Sequence, residues 1–175
     1  MKYVALAVAV LVAPAPAAAG VVSSSSHGFE VRHTVSLAVP PRVVFAAFSR
    51  MGAWWDPDHT YSGSSANLGL DLVPGGCLCE RFPKGGGVEH MRVAFVDPGK
   101  RIVLTGSLGP LLYEATTGVM DVQVKPVAGG SQLILNYRAA GFANGASLPL
   151  AATVDEVLGA QLKRFRAYAI KQPKT

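Results

Sequence analysis

Apolar and polar residues alternate with a strand's period through most of the chain and with a helix's period near its end. Val31, Val35, Leu37 and Val39 alternate with Arg32, Thr34, Ser36 and Ala38, which predicts a strand with one buried face. Pro40-Pro41 stops it, and Pro41 suits the start of a short helix whose apolar face is Val44, Phe45 and Phe48. A second short helix or turn carries Met51 to Pro57. From residue 66 to 139, strand-like runs at 67–73, 77–82, 88–97, 100–107, 115–126 and 131–139 lie between turn-formers. Those are Pro74-Gly75-Gly76, Pro83 to Gly87, Asp97-Pro98-Gly99 and Ala128-Gly129-Gly130. Pro110 calls for a wide connection before Leu111-Leu112-Tyr113. Thr153 to Glu156 then has the spacing of a capping box, and Val154, Val157, Leu158, Leu162, Phe165 and Ala169 stripe one face of a long C-terminal helix.

The predicted order is strand, two short helices, six strands, long helix (β-α-α-β6-α), an α+β fold. A curled antiparallel sheet needs cover on its concave face, and the C-terminal helix has both the length and the apolar stripe to provide it. The expectation is a helix-grip fold: a curved antiparallel sheet of about seven strands around that helix. Alternation turns Met91, Val93 and Phe95 inward, with Ile102 and Leu104, then Met120, Val122 and Val124, then Leu133, Leu135 and Tyr137. It turns His90 and Arg92 outward, unless a bulge after the three glycines at 85–87 shifts the register.

Composition changes the picture once the first residues are set apart. Lys2, the apolar run from Val4 to Ala13 and Ala17-Ala18-Ala19 before Gly20 read as a secretory signal peptide over residues 1–19, too short for a stable span. The whole chain of 175 residues is 50% hydrophobic with a net charge of +5, and without that segment the share falls to about 46%, the usual globular value. Residues 20–29, rich in serine, read as a flexible lead-in, 30–171 as one domain and 172–175 as a tail. No integral membrane segment is expected after cleavage, and the protein is expected to be periplasmic or secreted. The basic residues Lys163, Arg164, Arg166, Lys171 and Lys174 gather at a helix end, where they favour the helix dipole, so no nucleic-acid partner is expected.

Candidate chemistry is sparse. Gly-x-Ser-x-Gly, Walker and dinucleotide motifs are missing, and no cofactor is expected. The densest aromatic and polar block is Trp54 to Tyr61, in which His59 and Tyr61 face one way if the segment is extended. It serves either as a pocket rim, with Trp54 and Trp55 against an apolar ligand, or as a structural plug. Cys77 and Cys79 share one face of a strand with Cα atoms roughly 6.5 Å or more apart, which opposes a disulfide. Buried thiols are the expectation; a redox-active ring, or half of a metal site completed by His90 or Glu89, are the alternatives. Tyr137, a buried phenol, must bond either a ligand or nearby backbone. Gln161 sits at the edge of the helix stripe, and water exposure is favoured over a role in the cavity.

Residues 34–41 (Thr-Val-Ser-Leu-Ala-Val-Pro-Pro), Trp54-Trp55, Leu72 to Gly76 and Val96 to Arg101 together resemble the SRPBCC superfamily, over residues 30–171. That superfamily groups START-type lipid-binding domains, birch-pollen-allergen-like proteins, polyketide cyclases and relatives of the heat-shock ATPase activator. The resemblance implies that residues 54–61 close the entrance of a cavity for a small apolar or amphipathic molecule. The cavity would be lined by Trp54, Trp55, His59, Tyr61, Met91, Val93, Leu104, Met120, Tyr137, Val154, Leu158 and Gln161. It also implies two alternatives: an enzyme with His59 as base and Tyr61 or Glu80 as acid or orienting group, and a protein-interaction accessory domain.

Overall fold

Alternation along the two longest meander strands decides which way the sheet faces. In the computed structural model, which describes residues 20–143 and 147–173, Met120, Val122 and Val124 are buried beside Leu133, Leu135 and Tyr137, while their chain neighbours lean outward. The strands are β1 (Gly20–Ser24), β2 (Gly28–Leu37), β3 (Leu68–Leu70), β4 (Cys77–Arg81), β5 (Gly87–Asp97), β6 (Arg101–Gly106), β7 (Thr117–Val127) and β8 (Gly130–Ala140). They form one curved, open antiparallel sheet in the order β1-β2-β8-β7-β6-β5-β4-β3. Helix α1 (Pro41–Ser49) begins with Pro41 in its first turn and buries Val43, Val44, Ala47 and Phe48. Helix α2 (Ser147–Ala169) packs against the inner face of the sheet through Ala151, Leu158, Leu162, Phe165 and Ala169. The architecture is α+β and helix-grip-like, as the element order predicts.

Four expectations are corrected. The sheet has eight strands rather than seven, because the serine-rich lead-in pairs with β2 as an edge strand from Gly20 to Ser24. Strand pairing uses backbone groups, so side chains that remain largely exposed do not prevent it. The first meander run shrinks to Leu68–Leu70. Helix α2 begins at Ser147, six residues before the expected capping box, and Thr153 and Glu156 lie inside it. Pro149 is tolerated there because the first turn of a helix needs no backbone donor. The signal peptide expected over 1–19 and the last two residues of the tail lie outside the described residues.

The fourth correction reaches the site. Strand β5 carries two register shifts: Leu78 faces Met91 but Cys79 faces Glu89, and Val93 faces Leu104 but Phe95 faces Val103. His90 and Ala94 are therefore the extra residues, and each one inverts the alternation that follows it. His90 turns inward and is 5% exposed, whereas Phe95 turns outward and is 47% exposed with the Arg101 guanidinium over its ring. Arg92 stays outside, donating to Glu89 and to the Gly75 carbonyl. At Gly106, on β6, an added Cβ would stand 2.9 Å from the His90 carbonyl oxygen, so only glycine lets the strands approach beside the bulge.

Candidate functional site

Helix α2 is divided along its length. Its C-terminal half packs Leu162 and Phe165 into the core, with the Phe165 ring edge-on to Phe48 and to Trp54. Its N-terminal half, through Leu150, Val154, Val157 and Leu158, stands over a cavity of about 460 Å³. Leu68, Leu78, His90 and Tyr137 bound the cavity from the sheet; Met51, Trp55 and residues 58–61 close one side, and residues 108–111 with Tyr113 close another. Among the described residues, Asp58 is the one carboxylate in that lining, with neither lysine nor arginine beside it, and the remaining surface is mostly apolar. A space of this size, with few polar groups, falls in the range of small-molecule sites.

The walls are pinned by specific bonds. Trp54 donates its indole N–H to the Ala47 carbonyl at 3.1 Å, and Trp55 donates to the His59 carbonyl at 3.0 Å. The Asp56 amide donates to Gln161 Oε1 at 2.8 Å, and Arg164 Nε donates to the Trp54 carbonyl at 3.1 Å, which ties this turn to α2. Asp56 also caps the 3-10 turn Pro57–His59 by accepting from the Asp58 amide. The 3-10 turn Gly109–Glu114 is held by Thr116, whose hydroxyl donates to the Leu111 carbonyl, and by Ser107, which donates to the Thr116 carbonyl. Tyr137 Oη accepts from the Leu108 amide at 3.4 Å, and Gly118 leaves room for it: a Cβ there would lie 2.8 Å from the tyrosine ring. Burial pushes the Tyr137 hydroxyl up to about 12, against the Leu108 N–H, so it remains a phenol at neutral pH.

At the sheet end of the cavity, Glu80 is 1% exposed and holds three donors. Its Oε1 accepts from the Ser62 amide, and its Oε2 accepts from the Tyr61 amide at 3.1 Å and from His90 Nε2 at 3.2 Å. Burial alone would raise this carboxyl, but the hydrogen bonds from Ser62, Tyr61 and His90 outweigh it and hold Glu80 below its ordinary value. His90 is lowered, chiefly by burial, with Glu80 opposing. The Tyr61 ring stands over the imidazole with centroids 5.8 Å apart, and it meets Tyr113 edge-on at 6.4 Å. Burial and then Tyr113 raise the Tyr61 hydroxyl.

Of the residues expected in the cavity, the structure brings together Trp55, His59, Tyr61, Tyr137, Val154 and Leu158. Trp54, Met91, Val93, Leu104 and Met120 are buried in the packed core instead, and Gln161 is 1% exposed but spent on the Asp56 amide rather than turned to water. The cavity occupies one end of the inner face, so inward alternation alone does not select its lining. His59 and Tyr61 do share the cavity, though through a 3-10 turn and not an extended segment. Glu80 lies behind the lining. Pocket residues the sequence reading missed include Met51, Leu78, His90 and the stretch around Leu108 to Leu111; for the last, the apolar run about Pro110 was the available signal.

Cys77 and Cys79 form a disulfide, contrary to expectation. Their Cα atoms are 5.4 Å apart, closer than in a fully extended strand, and the register with β5 shifts between Leu78 and Cys79. They face away from the cavity, opposite to Leu78 and Glu80, and are half-buried rather than buried. The pairing occupies both sulfurs, and among the described residues no group of three or more His, Cys, Asp or Glu side chains is placed to hold a metal.

No protein-family model matches the chain, and no curated protein matches it in sequence. Solved structures do resemble it. A protein from Rhizobium leguminosarum superposes with a TM-score of 0.60 at 15% identity, over 83% of this chain and 96% of that one. One from Staphylococcus aureus gives 0.59 at 14% identity over 81% and 93%, and one from Rhizobium loti gives 0.57 at 23% identity over 81% and 95%. At these identities the likeness is one of fold.

Proposed function

We propose that the protein binds a small apolar or amphipathic molecule between its curved sheet and C-terminal helix, as an exported member of the SRPBCC superfamily. The observation that carries this reading is the cavity of about 460 Å³ under α2, walled by leucines, valines and aromatic rings. Support for export comes from the sequence of residues 1–19. The enzyme alternative has less behind it, because the oxygens of Glu80 are engaged by two backbone amides and His90. Native mass spectrometry of protein purified from its own organism, followed by solvent extraction, tests the reading. A bound organic molecule of low charge is expected, released on denaturation and taken up again on mixing. Protein that is ligand-free and takes up nothing from a lipid extract contradicts it.

A further inference from the structure

The disulfide between Cys77 and Cys79 lies on the outer face of β4, and the cavity makes no use of it. A disulfide stabilises a fold by tying distant parts of the chain together, and its effect grows with the loop it closes. This one joins residues two apart in a single strand. That strand is already paired on both sides: Cys79 lies opposite Gly69 of β3 and Glu89 of β5, and Cys77 lies opposite Arg92. The bond fastens little, and it can open and close without unpairing the sheet, as a cycling dithiol must. We propose that Cys77 and Cys79, with Arg81 beside them, form a redox site that exchanges its disulfide with a small-molecule dithiol.

The surroundings fit that chemistry. Both cysteines are half-buried and line an open depression of about 440 Å³ between β4 and residues 66–71, within reach of a small reagent. Gly69, across from Cys79 on the same face, puts no side chain over it, and the space a Cβ would take there is empty. On the β5 side Glu89 and Arg92 pair with each other, and Arg92 also donates to the Gly75 carbonyl. Asp71 is the carboxylate of the depression. Arg81 lines it too and has no ion pair or hydrogen bond among the described residues, so its charge is available to a thiolate. One thiolate of the dithiol attacks a cysteine sulfur; the S–S bond breaks, and the other cysteine leaves as a thiolate on the face that carries Arg81. The second thiolate of the dithiol then attacks its own sulfur in the mixed disulfide and releases the first cysteine. The dithiol gives up two electrons and two protons and becomes a cyclic disulfide, and the cysteines take them up as two thiols. A monothiol fares worse, because the freed cysteine stays beside the mixed disulfide and expels it, whereas a second thiol in the same molecule competes.

The test mixes native protein at neutral pH with dihydrolipoate, a small dithiol, or with 2-mercaptoethanol at equal thiol concentration. Samples are quenched with iodoacetamide over time and weighed by mass spectrometry. Dihydrolipoate is expected to open two labelling sites per chain, with one cyclic disulfide formed, at least about 10-fold faster than the monothiol. Tryptophan fluorescence should stay native throughout, and added lipoate should close both sites again. In Arg81→Gln the reduction should slow about 3-fold, and Arg81→Lys, which keeps the charge, should restore it. Labels that appear only when the chain is unfolded in urea would overturn the proposal and leave the bond a structural one. So would equal reduction by the monothiol, a rate unmoved in Arg81→Gln, or two labels before any thiol is added.

Discussion

Glu80 gathers three hydrogen bonds beside the cavity, two from the adjacent amides of Tyr61 and Ser62 and one from His90 on another strand. Its oxygens join the Tyr61–Ser62 backbone to β4 and, through His90, to β5. In Glu80→Gln one oxygen becomes an amide donor facing an N–H, so a bond is lost and a donor is left buried. We expect a loss of about 2–3 kcal/mol in urea denaturation; a loss under about 0.5 kcal/mol would contradict the structural role given to this carboxylate. The same pair sets a pH dependence. His90 and Glu80 both titrate lower in the folded protein than in the unfolded chain. The unfolded chain therefore binds protons first on acidification, and stability falls as pH falls. The loss begins as pH drops through the ordinary imidazole value of 6.5 and resumes below the ordinary carboxylate value of 4.5, where Asp121 adds to it. Denaturation midpoints followed across this range should show both limbs, and His90→Phe should lack the upper one. His90 also shows why the site was only partly legible. Its residue type was noticed, but one inserted residue in β5 reverses the face that alternation assigns, and the glycines at 85–87 raised a bulge only as an exception without fixing its place.

At the scale of elements, legibility followed length and regularity. Strands β7 and β8 each run eleven residues, and their apolar alternation placed Met120, Val122, Val124, Leu133, Leu135 and Tyr137 on the buried face. The long apolar stripe of α2 was equally plain, although its start was not, because Ser147 to Ala151 have no periodic signature that separates them from a loop. Strand β1 was illegible for a different reason: an edge strand draws on backbone pairing, and serine-rich sequence carries no sign of it. Cys77 and Cys79 were judged as residues of a regular strand, and β4 is not regular there. Their disulfide spans so few residues that it constrains the unfolded chain little. Reduction by dithiothreitol is expected to change unfolding free energy by no more than about 2 kcal/mol. Iodoacetamide should add two labels after reduction and none before; two labels on untreated protein would contradict the bond.

The molecule as a whole keeps its packing and its empty space at opposite ends of one helix. Around the C-terminal half of α2, the rings of Phe48, Trp54 and Phe165 interlock; around its N-terminal half, side chains from sheet, turns and the 107–116 loop stand back. Gln161 marks the border, holding the Asp56 amide between the two regions. The neighbouring tryptophans divide accordingly, Trp54 into the core and Trp55 onto the cavity. Among the described residues no helix is long and apolar enough to cross a membrane; the function proposed above rests on the apolar surface inside the cavity. The most direct test of that claim is a titration with the neutral fluorescent probe N-phenyl-1-naphthylamine, in wild-type protein and in Leu158→Trp. Leu158 is 1% exposed and borders the cavity, so a larger ring there fills the space from within. The account predicts saturable, roughly one-to-one enhancement of fluorescence in wild type, and at least ~10-fold weaker binding in a variant whose thermal unfolding stays cooperative. Equal binding by both proteins, or no saturable binding by wild type, would contradict it.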